Sequence, residues 1–298
     1  MYEYNSTGRG MERDLGILWE WEYDKKFIGL LDSVCQNSGK TSYCVSPPNL
    51  SESIAKIEAE ELQFRVIIDR ATDADPAFMP IINFHRAKQS RIINDPQKAA
   101  RANNKAILHY EFMKAELNVP HSLFLSPDEE SNDEILDKVG RPFVIKPVEG
   151  GGGGEGVIVG ANAIDDVRQA QEQTPGQMIL VQELIVPREL YGMRCWFRVF
   201  YACGKVIPCF WDDQTHVYQR LTPEEETVFG ELRRITHLIH EIVGLEFFST
   251  EIVQTVDQNF VVADYVNDQC DMRLQSDAPD GVPDSVVEEI VEAIVNTL

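Results

Sequence analysis

A chain of 298 residues with 27 basic and 49 acidic side chains carries a formal charge of −22. Such a surface repels nucleic acid and anionic lipid, which argues against either as a partner. Hydrophobic residues make up 43%, beside 19 glycines and 15 prolines, a globular composition long enough for two or three subdomains. A phosphate-bearing ligand would need a local cluster of Lys or Arg, or a divalent cation held by carboxylates.

Read in chain order, residues 1–12 form a loose polar tail, and strand and helix signals then alternate. Residues 15–21 read as a strand, 27–34 as a helix, 41–45 as a second strand, Ile54, Ile57 and Leu62 as marks of a second helix, and 65–69 as a third strand. This alternation predicts a small parallel α/β domain over 1–93. Asn94-Asp95-Pro96 punctuates the chain, and a second domain is expected over 94–298. It opens with a helical stretch, 97–117, then a polar acidic loop and a short helix near Leu136. Strands follow at 143–145 and 157–159, a helix at 165–173 and a strand at 178–182. A hairpin is expected over 195–202 and 206–210 with its turn at Gly204-Lys205, and one long amphipathic helix over 223–243. Strands at 247–254 and 260–266 and a last helix carrying Val286, Val287, Ile290, Val291 and Ile294 complete the reading. The central part of the second domain spans about 105–180 and its C-terminal part about 181–298.

The six cysteines contain no C-x-x-C pair and fit reduced thiols better than disulfides or a zinc site. The first residues lack a signal-peptide pattern, and no run of about 18 apolar residues could span a membrane. The expected setting is the cytoplasm, without a membrane partner; a homo-oligomer is allowed.

Two motifs mislead. Ser38-Gly39-Lys40-Thr41 has the tail of a Walker A loop, but Val34 stands where the first glycine is needed and a helix leads into a strand. His237, His240 and Glu241 follow the order H-x-x-H-E, which is neither zinc-protease pattern.

The informative segment runs from Phe143 through Lys146 into five consecutive glycines, 150–154, and out to Val157. Glycine runs weaken ordered structure, so the bland reading is a linker. A strand, a lysine, a bare loop and a returning strand also make a flap whose amides can close over phosphates.

At this point the sequence resembles the ATP-grasp superfamily, in particular carboxylate–amine ligases like glutathione synthetase and the ribosomal-protein glutamate ligases. The likeness runs in order through ANNKAILHYEFMKAELNVP, FVIKP, the glycine run, LVQELI, CWFRVFYACGKV, FFSTEIV and VVADYVND, over roughly residues 94–276. It implies an ATP-grasp fold of α/β (α+β) class: a small N-terminal parallel domain, a central glycine-loop subdomain and a C-terminal mixed-sheet subdomain. It implies that Lys105 and Lys146 bind ATP phosphates under Gly151, Gly152, Gly153 and Gly154. Gln182, Glu183, Leu184 and Ile185 then form the adenine hinge, and Glu189 meets the ribose. Arg198, with Lys146, serves the transferred phosphoryl group or the acyl intermediate, so that Arg198 is also a substrate-binding residue, and Glu251, Asp264 and Asn267 hold Mg²⁺, two ions being expected and Mn²⁺ an alternative. Arg273 in CDMRLQS is a candidate for a substrate carboxylate, or else a surface ion pair with an acid such as Asp271.

Two departures stand out. The metal pair is spaced Asp264-Tyr265-Val266-Asn267, one residue longer than usual, so that either the strand bulges or Asp264 or Asp268 acts differently. The Asp-x-Arg of the closest ligases is Trp196-Phe197-Arg198 here. The implied reaction is an ADP-forming ligation of a small carboxylic acid to an amine through an acyl phosphate. The alternatives are a nucleotide-binding module without turnover and a small-molecule kinase on the same fold.

Overall fold

The computed structural model describes residues 11–127, 129, 132–150, 154–190 and 192–298. Gly151, Gly152 and Gly153, assigned above to the phosphate loop, lie outside the described residues. The chain divides into two compact units, one reaching to Pro96 and joined by Asp271–Leu298, the other Gln97–Cys270.

In the first unit, β1 (Met11–Trp19), α1 (Lys25–Asn37), β2 (Ser42–Val45), α2 (Leu50–Glu58), β3 (Leu62–Arg70), α3 (Met79–Ala87) and β4 (Arg91–Ile93) follow one another. The strands form an all-parallel sheet in the order β2-β1-β3-β4. Its strands are apolar runs such as Ile67-Ile68, because helices cover a parallel sheet. The expected sheet lacked β4, which is too short for a two-residue alternation to register. Lys40, from the false Walker motif, donates instead to the carbonyl oxygens of Val295 and Leu298.

The second unit contains two larger sheets and the two-stranded β9–β10 ribbon. Its elements are α4 (Pro96–Ala102), α5 (Lys105–Lys114), β5 (Ser122–Leu125), α6 (Asp133–Asp137), β6 (Phe143–Pro147), β7 (Ile158–Ala161), α7 (Ile164–Gln173) and β8 (Ile179–Glu183), then β9 (Glu189–Leu190), β10 (Met193–Arg194), β11 (Trp196–Ala202), β12 (Lys205–Trp211), β13 (Tyr218–Arg220), α8 (Pro223–Val228), α9 (Glu231–Val243), β14 (Phe247–Gln254) and β15 (Phe260–Asn267). An antiparallel sheet β5-β8-β6-β7 carries the glycine hairpin, and an antiparallel sheet β13-β12-β11-β14-β15 packs one face on α9 and α5. On that face Phe197, Val199, Phe210, Phe248 and Ile252 meet Leu232, Ile235 and Ile239 of α9 and Leu108 and Phe112 of α5. A last helix, α10 (Asp284–Val295), packs on α1 in the first unit. The residues after Cys270 therefore belong with the N-terminal unit, whereas the sequence reading placed them in a continuous domain from 94 to 298.

Both long helices of the sequence reading are broken. The stretch 97–117 divides at Asn103-Asn104, where Asn104 turns extended and its side chain accepts the Ile107 N–H, capping α5. The stretch 223–243 divides at Phe229-Gly230, after the Thr222–Glu225 capping box of α8. The β11–β12 hairpin turns one residue earlier than expected, at Cys203-Gly204, with φ of 47° and 95°; these suit a type I′ turn. His237 and His240, the other misleading motif, pack on Tyr201, the His240 ring stacking at 4.2 Å.

Asn104 also donates to Glu149 Oε1 at 2.8 Å, so it ties the start of α5 to the hairpin. Asn104→Ala is expected to lower the stability of this unit by about 1 kcal/mol, the usual cost of an N-cap. A urea midpoint equal to that of the parent would show that the cap is dispensable.

Candidate active site

The sheet β13-β12-β11-β14-β15 sets three ionisable side chains in one row. Arg198 of β11 stands opposite Glu251 of β14, and Glu251 stands opposite Asp264 of β15. Directly paired residues share a face, and this face is the one turned away from α9.

In a regular strand, Asp264 and Asn267 would point to opposite faces, since their separation is odd. The ladder slips between the Ser249–Asn267 and Glu251–Asp264 pairs: Thr250 alone spans on β14 what Tyr265 and Val266 span on β15. This bulge absorbs the additional residue and turns both side chains to one side, with Asn267 Nδ2 donating to Asp264 Oδ2 at 3.2 Å. A second slip follows between Glu251 and Ile252, leaving Ala263 without an opposite residue. Its carbonyl oxygen accepts Lys146 Nζ at 2.9 Å. Tyr265, on the buried side, bonds His109 of α5 at 2.5 Å.

Lys146 projects from β6, and its ammonium lies 3.9 Å from Asp264 Oδ1. Lys105 is the first residue of α5; its N–H donates to the Val148 carbonyl and its Nζ to that of Gly150, both at 3.0 Å. Both lysines are thus tied to the glycine hairpin or to the strand that carries Asp264. Burial pushes the Lys105 ammonium below the ordinary lysine value; Asp264 acts against that shift and Lys146 adds to it. A depressed ammonium loses its proton at a lower pH than an exposed lysine does. Affinity for a polyphosphate is therefore expected to fall on the alkaline side, and Lys105→Arg should move that fall to higher pH. Calorimetric titrations of ATP across the alkaline range check this, and coincident profiles would remove Lys105 from the phosphate site.

Glu251 is gripped on both oxygens. Arg198 Nη2 donates to Oε1, and Trp196 Nε1 donates to Oε2 at 3.1 Å. Burial opposes the Arg198 charge, but Glu251, together with Tyr218 and Asp264, outweighs it, so the guanidinium is held above its ordinary value. The Trp211 ring covers it at 4.9 Å.

The other candidates are arranged more loosely. Gln182 is buried, with its Nε2 unpartnered, while Glu183 exchanges backbone and side-chain hydrogen bonds with His121. Leu184 and Ile185 follow the end of β8, half-buried. Glu189 is exposed on β9, opposite Arg194. Gly154 takes a φ of 84°, a left-handed conformation that favours glycine. Arg273 lies in the first unit and is held by Asp271 and Asp280 at 2.7 and 2.9 Å. Among the described residues, no group of three His, Cys, Asp or Glu could hold a metal ion. The candidate set instead joins two carboxylates and an amide, all hard oxygen donors that fit magnesium. The sequence reading did not assign the tryptophans a role, although Trp196 stood out as the residue replacing an expected acid.

No family model and no curated protein matches the chain. Solved structures do. An ATP-grasp RimK domain protein from Sphaerobacter thermophilus superposes with a TM-score of 0.66 at 18% identity, covering 96% of this chain and 99% of that one. The D-alanine–D-alanine ligase of Bacillus anthracis, complexed with ATP, gives 0.66 at 12% identity, with 96% of each chain covered. The macrocyclase MdnC of Microcystis aeruginosa, bound with its precursor peptide MdnA, gives 0.64 at 12%, covering 95% of this chain and 100% of that one. At these identities the likeness establishes the fold: the chain has the ATP-grasp fold, of mixed α/β class.

Proposed function

We propose that the chain is an ATP-dependent carboxylate–amine ligase that forms an acyl phosphate and ADP, then an amide and phosphate. One observation carries the reading. In a protein of charge −22, two lysines meet at the glycine hairpin: Lys146 of β6, 3.9 Å from Asp264, and Lys105, whose Nζ donates to the Gly150 carbonyl. Like charges are brought together where an anion is to be bound. Lys105 and Lys146 would hold the triphosphate. Arg198 would meet charge on the transferred group, and the hinge from Gln182 to Ile185, with Glu189, would take the nucleoside. Glu251, Asp264 and Asn267 would hold magnesium, one or two ions, or manganese, which supplies charge neutralisation at the phosphates. Positioning and neutralisation suffice for such a reaction, with no nucleophilic side chain.

MdnC is bound with a precursor peptide in its structure, so a peptide carboxylate stands beside small acids as the substrate to be tried. The cytoplasm is the proposed setting, as its reducing conditions suit six free cysteines.

A second reading, nucleotide binding without turnover, is favoured by one feature: both oxygens of Glu251 already accept hydrogen bonds. One experiment separates the two. The purified protein is incubated with ATP, magnesium, hydroxylamine and a panel of amino acids, dicarboxylates and acidic peptides. A ligase gives an acyl hydroxamate, ADP and phosphate, and a kinase gives ADP and a phosphorylated acceptor without hydroxamate. Tight ATP binding with no acid-dependent ADP release would establish the binding module.

A further inference from the structure

Arg198 and Glu251 face each other across the ladder, and Arg–carboxylate pairs in that position often close bidentately. A closed pair would occupy one whole edge of the guanidinium, leaving little of it for a ligand. This pair is not closed. Arg198 reaches Oε1 through Nη2, and Oε2 belongs to the indole N–H of Trp196. Arg198 Nε is buried and has no partner, a costly state that an oxyanion would relieve. Trp211 lies over the guanidinium and is itself stacked on His216 at 5.2 Å, while Trp196 stands 6.4 Å from Trp211. Trp211 thereby covers one face of the guanidinium, and a ligand on that side meets its edge.

We propose that Trp196 is a positioning residue that keeps the Arg198–Glu251 pair open. By occupying Glu251 Oε2, it leaves the Nε edge of Arg198 to an oxyanion, the phosphoryl group or the carboxylate of a substrate. A neutral donor does this where an acid would repel Glu251. The inference rests on the ligase reading for its catalytic consequence, though not for the anion site itself.

The test compares two substitutions. Trp196→Phe keeps an aromatic ring beside Trp211 and loses the N–H. Trp196→His shrinks the ring further but keeps an N–H at the same bond count from Cβ, so it can still reach Oε2. If Trp196 only filled space, Phe would be the milder change. As a positioning residue it gives the opposite order: Trp196→Phe lowers kcat about tenfold or more with KM for ATP within about twofold, and Trp196→His recovers most of the loss. Binding is read in parallel by equilibrium dialysis of inorganic phosphate with ADP present, where the same ranking is expected. Should Trp196→Phe fail to fold, Trp196→Met, also lacking an N–H, takes its place. Phe equal to or better than His, in turnover or in phosphate binding, overturns the proposal. Absence of turnover in the parent with the phosphate ranking intact would remove the ligase reading and leave the open pair standing.

Discussion

Asp264→Asn is expected to abolish substrate-dependent ADP release while ATP still binds. The substitution keeps the side chain's size and its place in the row with Arg198 and Glu251, but removes its charge. That charge has two roles in the geometry. It lies 3.9 Å from Lys146, and it supports the proton on Lys105 against burial and the repulsion of Lys146. It is also one of two carboxylates among the candidate metal ligands. Removing a negative group beside a triphosphate does not by itself weaken nucleotide binding, since the two lysines keep their attraction for the phosphates. Charge stabilisation during transfer is another matter: losing a single preorganised group of this kind commonly costs about 10²–10³ in turnover. Calorimetry with ATP and a coupled ADP assay therefore separate the effects. ADP release within about tenfold of the parent would remove Asp264 from the chemistry.

What the sequence disclosed, and what it hid, follows from the range of the interactions involved. The strand of Lys146, the glycine run and the acids of β14 and β15 were visible because each is a short local pattern with its own residue types. Strand 247–254 was read with the bounds it has in the structure. The breaks in the helical stretches were missed because Asn103-Asn104 and Phe229-Gly230 interrupt a continuing apolar rhythm without a proline to mark them. The break at Asn104 matters for the site, since it puts Lys105 at the head of α5 with its N–H on Val148. The spacing from Asp264 to Asn267 was legible as an anomaly, but only cross-strand pairing shows that a bulge reconciles it. The role of Trp196 could not be read at all: its partner, Glu251, is brought beside it by the sheet and by nothing in the local sequence. The return of the last helix to the first unit was hidden for the same reason, because α10 and α1 meet only in three dimensions.

Lys146→Ala is expected to weaken ATP binding by an order of magnitude or more, with adenosine affinity unchanged. The ammonium rests on the Ala263 carbonyl at 2.9 Å and near Asp264. Its environment is half-buried, so solvent screens it less than a surface lysine. A charge-assisted hydrogen bond to a phosphate contributes about 1.5–3 kcal/mol, or roughly tenfold to more than a hundredfold in affinity. Loss of the ammonium also leaves Asp264 less compensated, and its repulsion of the triphosphate acts in the same direction. Lys105 gains from the change: without Lys146 it holds its proton to higher pH. The variant should therefore bind ATP weakly but keep that weak affinity further into the alkaline range than the parent does. Adenosine carries no phosphate, so its binding reports on the hinge alone and controls for misfolding. Equal loss of ATP and adenosine affinity would mean that the substitution damages the sheet. Unchanged ATP affinity would mean that Lys146 is a structural lysine, bound to the bulge at Ala263 and to nothing else.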